Sequence, residues 1–234
     1  FVVTGSFDSL GAALQINVNE GVITFSPMRQ FNTNGNIYDF VKTAFLDNSG
    51  KTLLSYTDMG NSYYGTNIIA SIDSNLPYAE LSDITNLFQN RRKNYFATTK
   101  LSDTSTLMLY DKNSDTNRYF YVRELDTTDP KNVSVGSEQG PFTYTTHSTY
   151  TPTQVSLTMM SSTKALWYIT VTNGASGFYH KVYTLTKSGS TWSSSESSRD
   201  VPYESSICTS MSSNFSHDDT NYFRFTKDTY YDNY

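Results

Sequence analysis

DKNSDTN, residues 111–117, places oxygen-bearing side chains at alternate positions: Asp111, Asn113, Asp115 and Asn117. A hard cation such as Ca2+ takes about six to eight oxygens in a flexible shell, and such spacing can wrap one. Against that chemistry, Thr116 stands where a helix-loop-helix calcium loop places Gly, and Val122 stands where that loop places its bidentate Glu. A turn between two β-strands, built from Asx residues that bond their own backbone, accounts for the same letters. Directly after it, NRYFYVREL (117–125) puts Tyr119, Tyr121 and Arg123 on one strand face and Phe120, Val122 and Glu124 on the other. Arg or Glu beside Tyr can form a shallow polar groove for sugar hydroxyls, with the aromatic face against the apolar side of the ring. Cross-strand pairing at a sheet surface is the structural alternative. Tyr121, Arg123 and Glu124, together with Trp192 and Tyr179, are therefore the candidate ligand-binding residues, and Ca2+ is the one cofactor the letters suggest.

Catalytic signatures are lacking by the same reading. His147, His180 and His217 lie far apart and form no metal-spaced pair, and no G-x-S-x-G elbow picks out a nucleophile among the many serines. A glycosidase needs two carboxylates at a fixed separation. Asp39, Asp47, Asp73, Asp103 and Glu124 offer themselves, each equally well explained as a turn or surface residue. Cys208 is the only cysteine, which excludes an internal disulfide and reads as a small buried thiol.

The elements that must position these groups are strands. Aromatic residues make up 15% of the 234 positions, with 19 Tyr and 14 Phe, while charged residues make up 17%; this composition suits half-buried pleated surfaces and polar turns. A net charge of -5 is spread along the chain without blocks, so nothing suggests a nucleic-acid footprint or an anionic membrane surface. The longest apolar runs are strand-sized, so no membrane insertion is expected. The sequons at Asn132 and Asn214 are too few, in so Asn- and Ser-rich a chain, to argue for secretion.

A unit recurs. KTLLSY, STLMLY, KALWYI and TNYFRF start at 51, 105, 164 and 220, spacings of 54, 59 and 56 residues. Each follows a strand and a turn, and the first three precede a polar loop, a third strand and a more polar fourth. A four-stranded antiparallel unit of about 50–60 residues is the pattern of a propeller blade. We therefore expect an all-β single domain over 1–234: a β-propeller of about four or five four-stranded antiparallel blades. The blades fall at about 38–92, 93–150, 151–202, and 203–234 closed by 1–37. A β-sandwich, or part of a larger propeller, is the alternative.

Two resemblances attach to this rhythm. SGSTW is similar to the Asp-box hairpin of sialidases through Gly189, Thr191 and Trp192, although Leu185 and Lys187 replace the Ser and Asp of the box; LDNSGKTL is a second degenerate copy. In that family the box is a folding device. The stretch ALWYITVTNGASGFYHKVYTLTKSGSTW, and NTNGNIYDF at 32–40, resemble in rhythm the blades of fungal fucose-binding propeller lectins. There the sugar is held by an Arg, a Glu and an aromatic residue on successive strands. No unit here carries all three in sequence: Trp192 lacks an Arg on its second strand, Arg224 belongs to the incomplete last unit, and Glu124 lacks a following Trp. The resemblance implies a non-enzymatic binding module, extracellular or at a cell surface, whose partner is a glycan or a surface protein. A propeller glycoside hydrolase and a structural module of a larger surface assembly are the rival readings.

Overall fold

The computed structural model describes residues 2–7, 10–32, 42–45, 51–58, 64–71, 80–81, 85–89, 95–114, 117–129, 133–144, 151–172, 178–196, 210–216 and 222–227. Every element among them is a β-strand, and every pairing is antiparallel. No helix among the described residues is long and apolar enough to cross a membrane.

Strands β1 (Val2–Phe7), β2 (Leu10–Asn19), β3 (Val22–Phe25) and β4 (Arg29–Gln30) make the first sheet, with both β3 and β4 on β2. The second sheet runs β5 (Lys42–Phe45), β6 (Thr52–Asp58), β7 (Tyr64–Ser71) and then β8 (Glu80–Leu81) and β9 (Thr85–Gln89), which share the far edge of β7. The third repeats that plan with β10 (Phe96–Ser102), β11 (Ser105–Ser114), β12 (Asn117–Asp126), β13 (Ser134–Val135) and β14 (Gln139–Thr143). The fourth is a plain meander of β15 (Thr151–Ser161), β16 (Lys164–Thr172), β17 (Phe178–Ser188) and β18 (Thr191–Glu196). A last two-stranded ladder joins β19 (Ser210–Ser216) to β20 (Tyr222–Lys227). Of segments 1–37 and 203–234, expected to share one blade, the described strands are β1 to β4, which pair with one another, and β19, which pairs with β20. The outer strand, expected as one polar segment per unit, is split in the second and third sheets into two short pieces.

The hairpin turns explain why consecutive strands pair. Gly189 has φ 60° at the first of the two positions linking the paired residues Ser188 and Thr191, the position where a II′ turn needs glycine. Between β2 and β3 both central residues, Glu20 and Gly21, have positive φ, the I′ geometry that matches strand twist.

Alternation along each strand then divides the side chains between two faces, and both faces are used. Leu54, Tyr56, Ile68 and Ala70 of the second sheet pack back on Ala13 and Phe31 of the first, with the Phe31 and Tyr56 rings 5.0 Å apart. Leu53 and Ile69, one residue out of phase, pack forward on Phe96, Met108, Tyr110 and Leu125 of the third. Leu107, Leu109, Phe120 and Val122 face the fourth sheet and meet Trp167, Ile169, Leu185 and Trp192. Apolar runs such as TLLSY are therefore not overfilled amphipathic strands but strands buried on both sides. The first strands of successive sheets lie side by side in chain order, β5 next to β10, β10 next to β15, and β15 next to β19. Sheets stacked face to face, in series, leave seams between them, and the candidate functional groups sit at two of these seams.

Candidate functional site

The register of β11 on β12 opposes Tyr110 to Tyr121 and Met108 to Arg123. Arg123 consequently lies beside the Tyr110 ring, where its Nε donates to the Tyr110 hydroxyl at 2.8 Å. That hydroxyl donates in turn to Oε2 of Glu138 at 2.6 Å, and Arg123 Nη2 reaches the same oxygen at 3.4 Å. The guanidinium carbon stands 6.0 Å from the Tyr110 ring centre, and Tyr121 stacks on Tyr110 with centroids 6.2 Å apart. The Arg123 and Glu138 side chains are each 23% exposed and Tyr110 is fully buried, so only the two charged groups of the triad keep a wet edge. Burial pushes the Tyr110 hydroxyl well above the ordinary tyrosine range, and its bond to Glu138 adds to the shift. The tyrosine is therefore a neutral donor at any physiological pH. Among the described residues the bonds of Arg123 run through Nε and Nη2, and none is made by its other terminal nitrogen, Nη1.

Glu138 was not visible as a partner in the sequence. It sits in the Gly136-Ser137-Glu138 link between β13 and β14, both of which pair with β12. The link is pressed close: a Cβ on Gly136 would stand 2.8 Å from the carbonyl oxygen of Glu124. Only the glycine lets the link turn there, and that turn brings Glu138 back over Arg123.

Glu124, the next residue along β12, points to the opposite seam. Its Oε1 accepts from the indole Nε1 of Trp192 and from Lys187 Nζ, both at 2.7 Å. Lys187 Nζ also lies 5.8 Å from the Trp192 ring centre. Trp192 is only 3% exposed: its ring is packed between the third and fourth sheets rather than presented to solvent. Gln139 closes the same seam with its carboxamide, donating from Nε2 to the Ser190 carbonyl at 2.9 Å and accepting at Oε1 from the Trp192 backbone N–H at 2.6 Å. Beside this link an open cleft of about 540 Å3 runs between the β14 and β18 edges, with Phe142, Trp192, Ser193 and Ser194 among its walls.

The structure thus splits the candidate set. Tyr121 and Arg123 come together at one seam, and Glu124 and Trp192 at the next. Tyr179 pairs with Val171 in the β16–β17 ladder, and its side chain lies outside the described residues. Asp111 is buried, its Oδ1 accepting from the Tyr95 N–H at 2.9 Å. Strands β11 and β12 continue through the segment that reads as a turn, pairing Asn113 with Arg118 and Ser114 with Asn117. Asp115, and the side chains of Asn113 and Asn117, lie outside the described residues. No group of three or more His, Cys, Asp or Glu able to hold a metal ion is found among the described residues. Compared with known families and curated proteins, the chain matches no family profile and no curated sequence, so the side chains themselves carry the functional reading.

Proposed function

We propose that the chain is a non-enzymatic carbohydrate-binding module of β-propeller form, displayed outside the cell or at its surface, with Arg123, Glu138, Tyr110 and Tyr121 as its sugar site. The observation that carries the reading is the Arg123–Tyr110–Glu138 triad, in which the buried Tyr110 holds a partly exposed guanidinium and carboxylate beside the stacked Tyr121 ring at a seam between sheets. Charged hydrogen-bonding groups next to an aromatic surface suit a ligand with hydroxyls on its edge and C–H groups on its face. The propeller form draws its support from face-to-face sheets in series with their first strands adjacent. A glycan array followed by titration calorimetry tests the site. Binding in the micromolar to millimolar range is expected, weakened at least about tenfold by Arg123→Ala or Tyr121→Ala, each losing a contact of roughly 1.4 kcal/mol or more. A blank array, or binding indifferent to both substitutions, refutes the proposal.

A second reading, a module of a larger surface assembly, is favoured by one specific observation. Val18, Val22, Ile23, Phe25 and Met28 are all more than half exposed, Phe25 at 67%, and all lie on or beside the β2–β3 hairpin. Val18, Ile23 and Phe25 share one face of the hairpin, since Val18 opposes Ile23 and Phe25 lies two residues further along β3, and exposed apolar groups gathered on one face suit a contact with another macromolecule. On this reading, light scattering should show concentration-dependent association that Ile23→Ser with Phe25→Ser removes. A monomer at every concentration, together with a partner screen that ignores the hairpin, would count against it.

A further inference from the structure

The second seam has a geometry that the sugar site does not use. Among the described residues β18 is the last strand of the fourth sheet, bonded to β17 on one side only. The Trp192 N–H points away from β17, because it donates to Gln139. Successive residues of a strand alternate in the direction of their backbone groups, so Ser193 turns inward to its partner Thr186 and Ser194 turns outward again. The Lys187 N–H agrees with this phase, since it bonds to Thr163 on the β16 side and not to its opposite residue Trp192.

Gln139 satisfies this edge in a particular way. Its side-chain amide gives an N–H to the Ser190 carbonyl and takes the Trp192 N–H, groups on either side of Thr191, the pair of bonds that one residue of an adjoining parallel strand would make. One rung of an absent strand is therefore already imitated by a side chain. The next rung, the Trp192 carbonyl and the Ser194 N–H, opens into the cleft of about 540 Å3, a size in the usual range for ligand sites of roughly 300–1,000 Å3. All ten residues around the cleft are uncharged. Phe142 and Trp192 give it apolar walls, and Ser193 and Ser194 give it hydroxyls.

We propose that the outer edge of β18, begun by the Gln139 carboxamide, docks an extended, uncharged peptide segment of a partner protein, which joins the fourth sheet as an added strand. A main chain is favoured over a sugar because the edge offers amide N–H and C=O groups at strand spacing, and Gln139 shows which functional group fits them. Alternate side chains of the guest would face the Phe142 and Trp192 walls, so small apolar residues at every second position are expected. This inference is independent of the Arg123 site, which lies on the other face of the third sheet.

The test uses the full chain and, as probe, a short peptide selected from a phage library restricted to uncharged residues. Amide-resolved hydrogen exchange should show the Ser194 N–H slowed at least about tenfold at saturation. Ser193, already bonded to Thr186, should be unchanged. The same peptide N-methylated at alternate amides should bind at least about tenfold more weakly, the loss expected for one or two backbone bonds. Ser194→Pro, which deletes the outward donor, should do the same; if that variant does not fold, the N-methylated peptide on the unaltered protein decides. Failure to select any peptide overturns the proposal, as does protection away from β18. Protection of Ser194 by glycans alone, or by rising protein concentration without peptide, overturns it in favour of a sugar or a second copy.

Discussion

Glu124 joins two sheets with one oxygen, and its two partners are not equivalent. The Trp192 N–H is buried and has no water to turn to, whereas Lys187 is partly exposed and can be resolvated. Glu124→Ala should therefore cost about 1–3 kcal/mol, the penalty of an orphaned buried donor. Lys187→Met should cost less, about 1 kcal/mol, as a partly exposed ion pair does. Urea denaturation of the two variants checks the order, and equal losses would place the energy in the ion pair. Tyr110 and Tyr56 carry a second prediction at this scale. Both hydroxyls are pushed above the ordinary 10.0, chiefly by burial, so the folded chain keeps protons that the unfolded chain releases. Their contribution is intact below about pH 10 and is lost above it, by about 1.4 kcal/mol per pH unit for each tyrosine, until the folded hydroxyl itself ionises. Stability measured from about pH 8 to pH 11 should fall accordingly, and less steeply in Tyr110→Phe.

Among the elements, the hairpins were the most legible part of the sequence. S-G-S between β17 and β18 announced a turn, and alternation in NRYFYVREL assigned Arg123 and Glu124 to opposite faces, as the structure has them. What the letters could not carry was the partner of each group. Glu124 meets Trp192 across 68 positions, and Glu138 meets Arg123 because Gly136 permits a close turn. No local pattern encodes either distance. The extent of β11 was misjudged for a related reason: Asx residues favour turns, but the register that pairs Asp111 with Phe120 and Ser114 with Asn117 holds them in the ladder. The β2–β3 hairpin supplies the prediction here. Glu20 occupies a left-handed position, φ 47°, in a I′ turn that prefers Asn. Glu20→Asn should stabilise the protein by a few tenths to about 1 kcal/mol in a thermal or urea melt, and a loss would mean that the side chain of Glu20 is used elsewhere.

At the scale of the molecule, each interior sheet serves two cores, one on each face. Trp167 is the largest fully buried side chain, set 5.0 Å from Phe120 of the preceding sheet and stacked 4.2 Å from Tyr183 of its own. Trp167→Ala should cost about 3–5 kcal/mol, and hydrogen exchange should show the third and fourth sheets losing protection together. Loss confined to the fourth would mean that the seam is not a shared core. The same serial arrangement has a consequence for how the chain reaches its fold. Every strand ladder described joins near neighbours in sequence, so no sheet waits for a distant segment to return. Loop-closure entropy stays small at each step. A ribosome releasing this chain would free one complete ladder after another, and each finished sheet would offer its outer face as the template on which the next one settles.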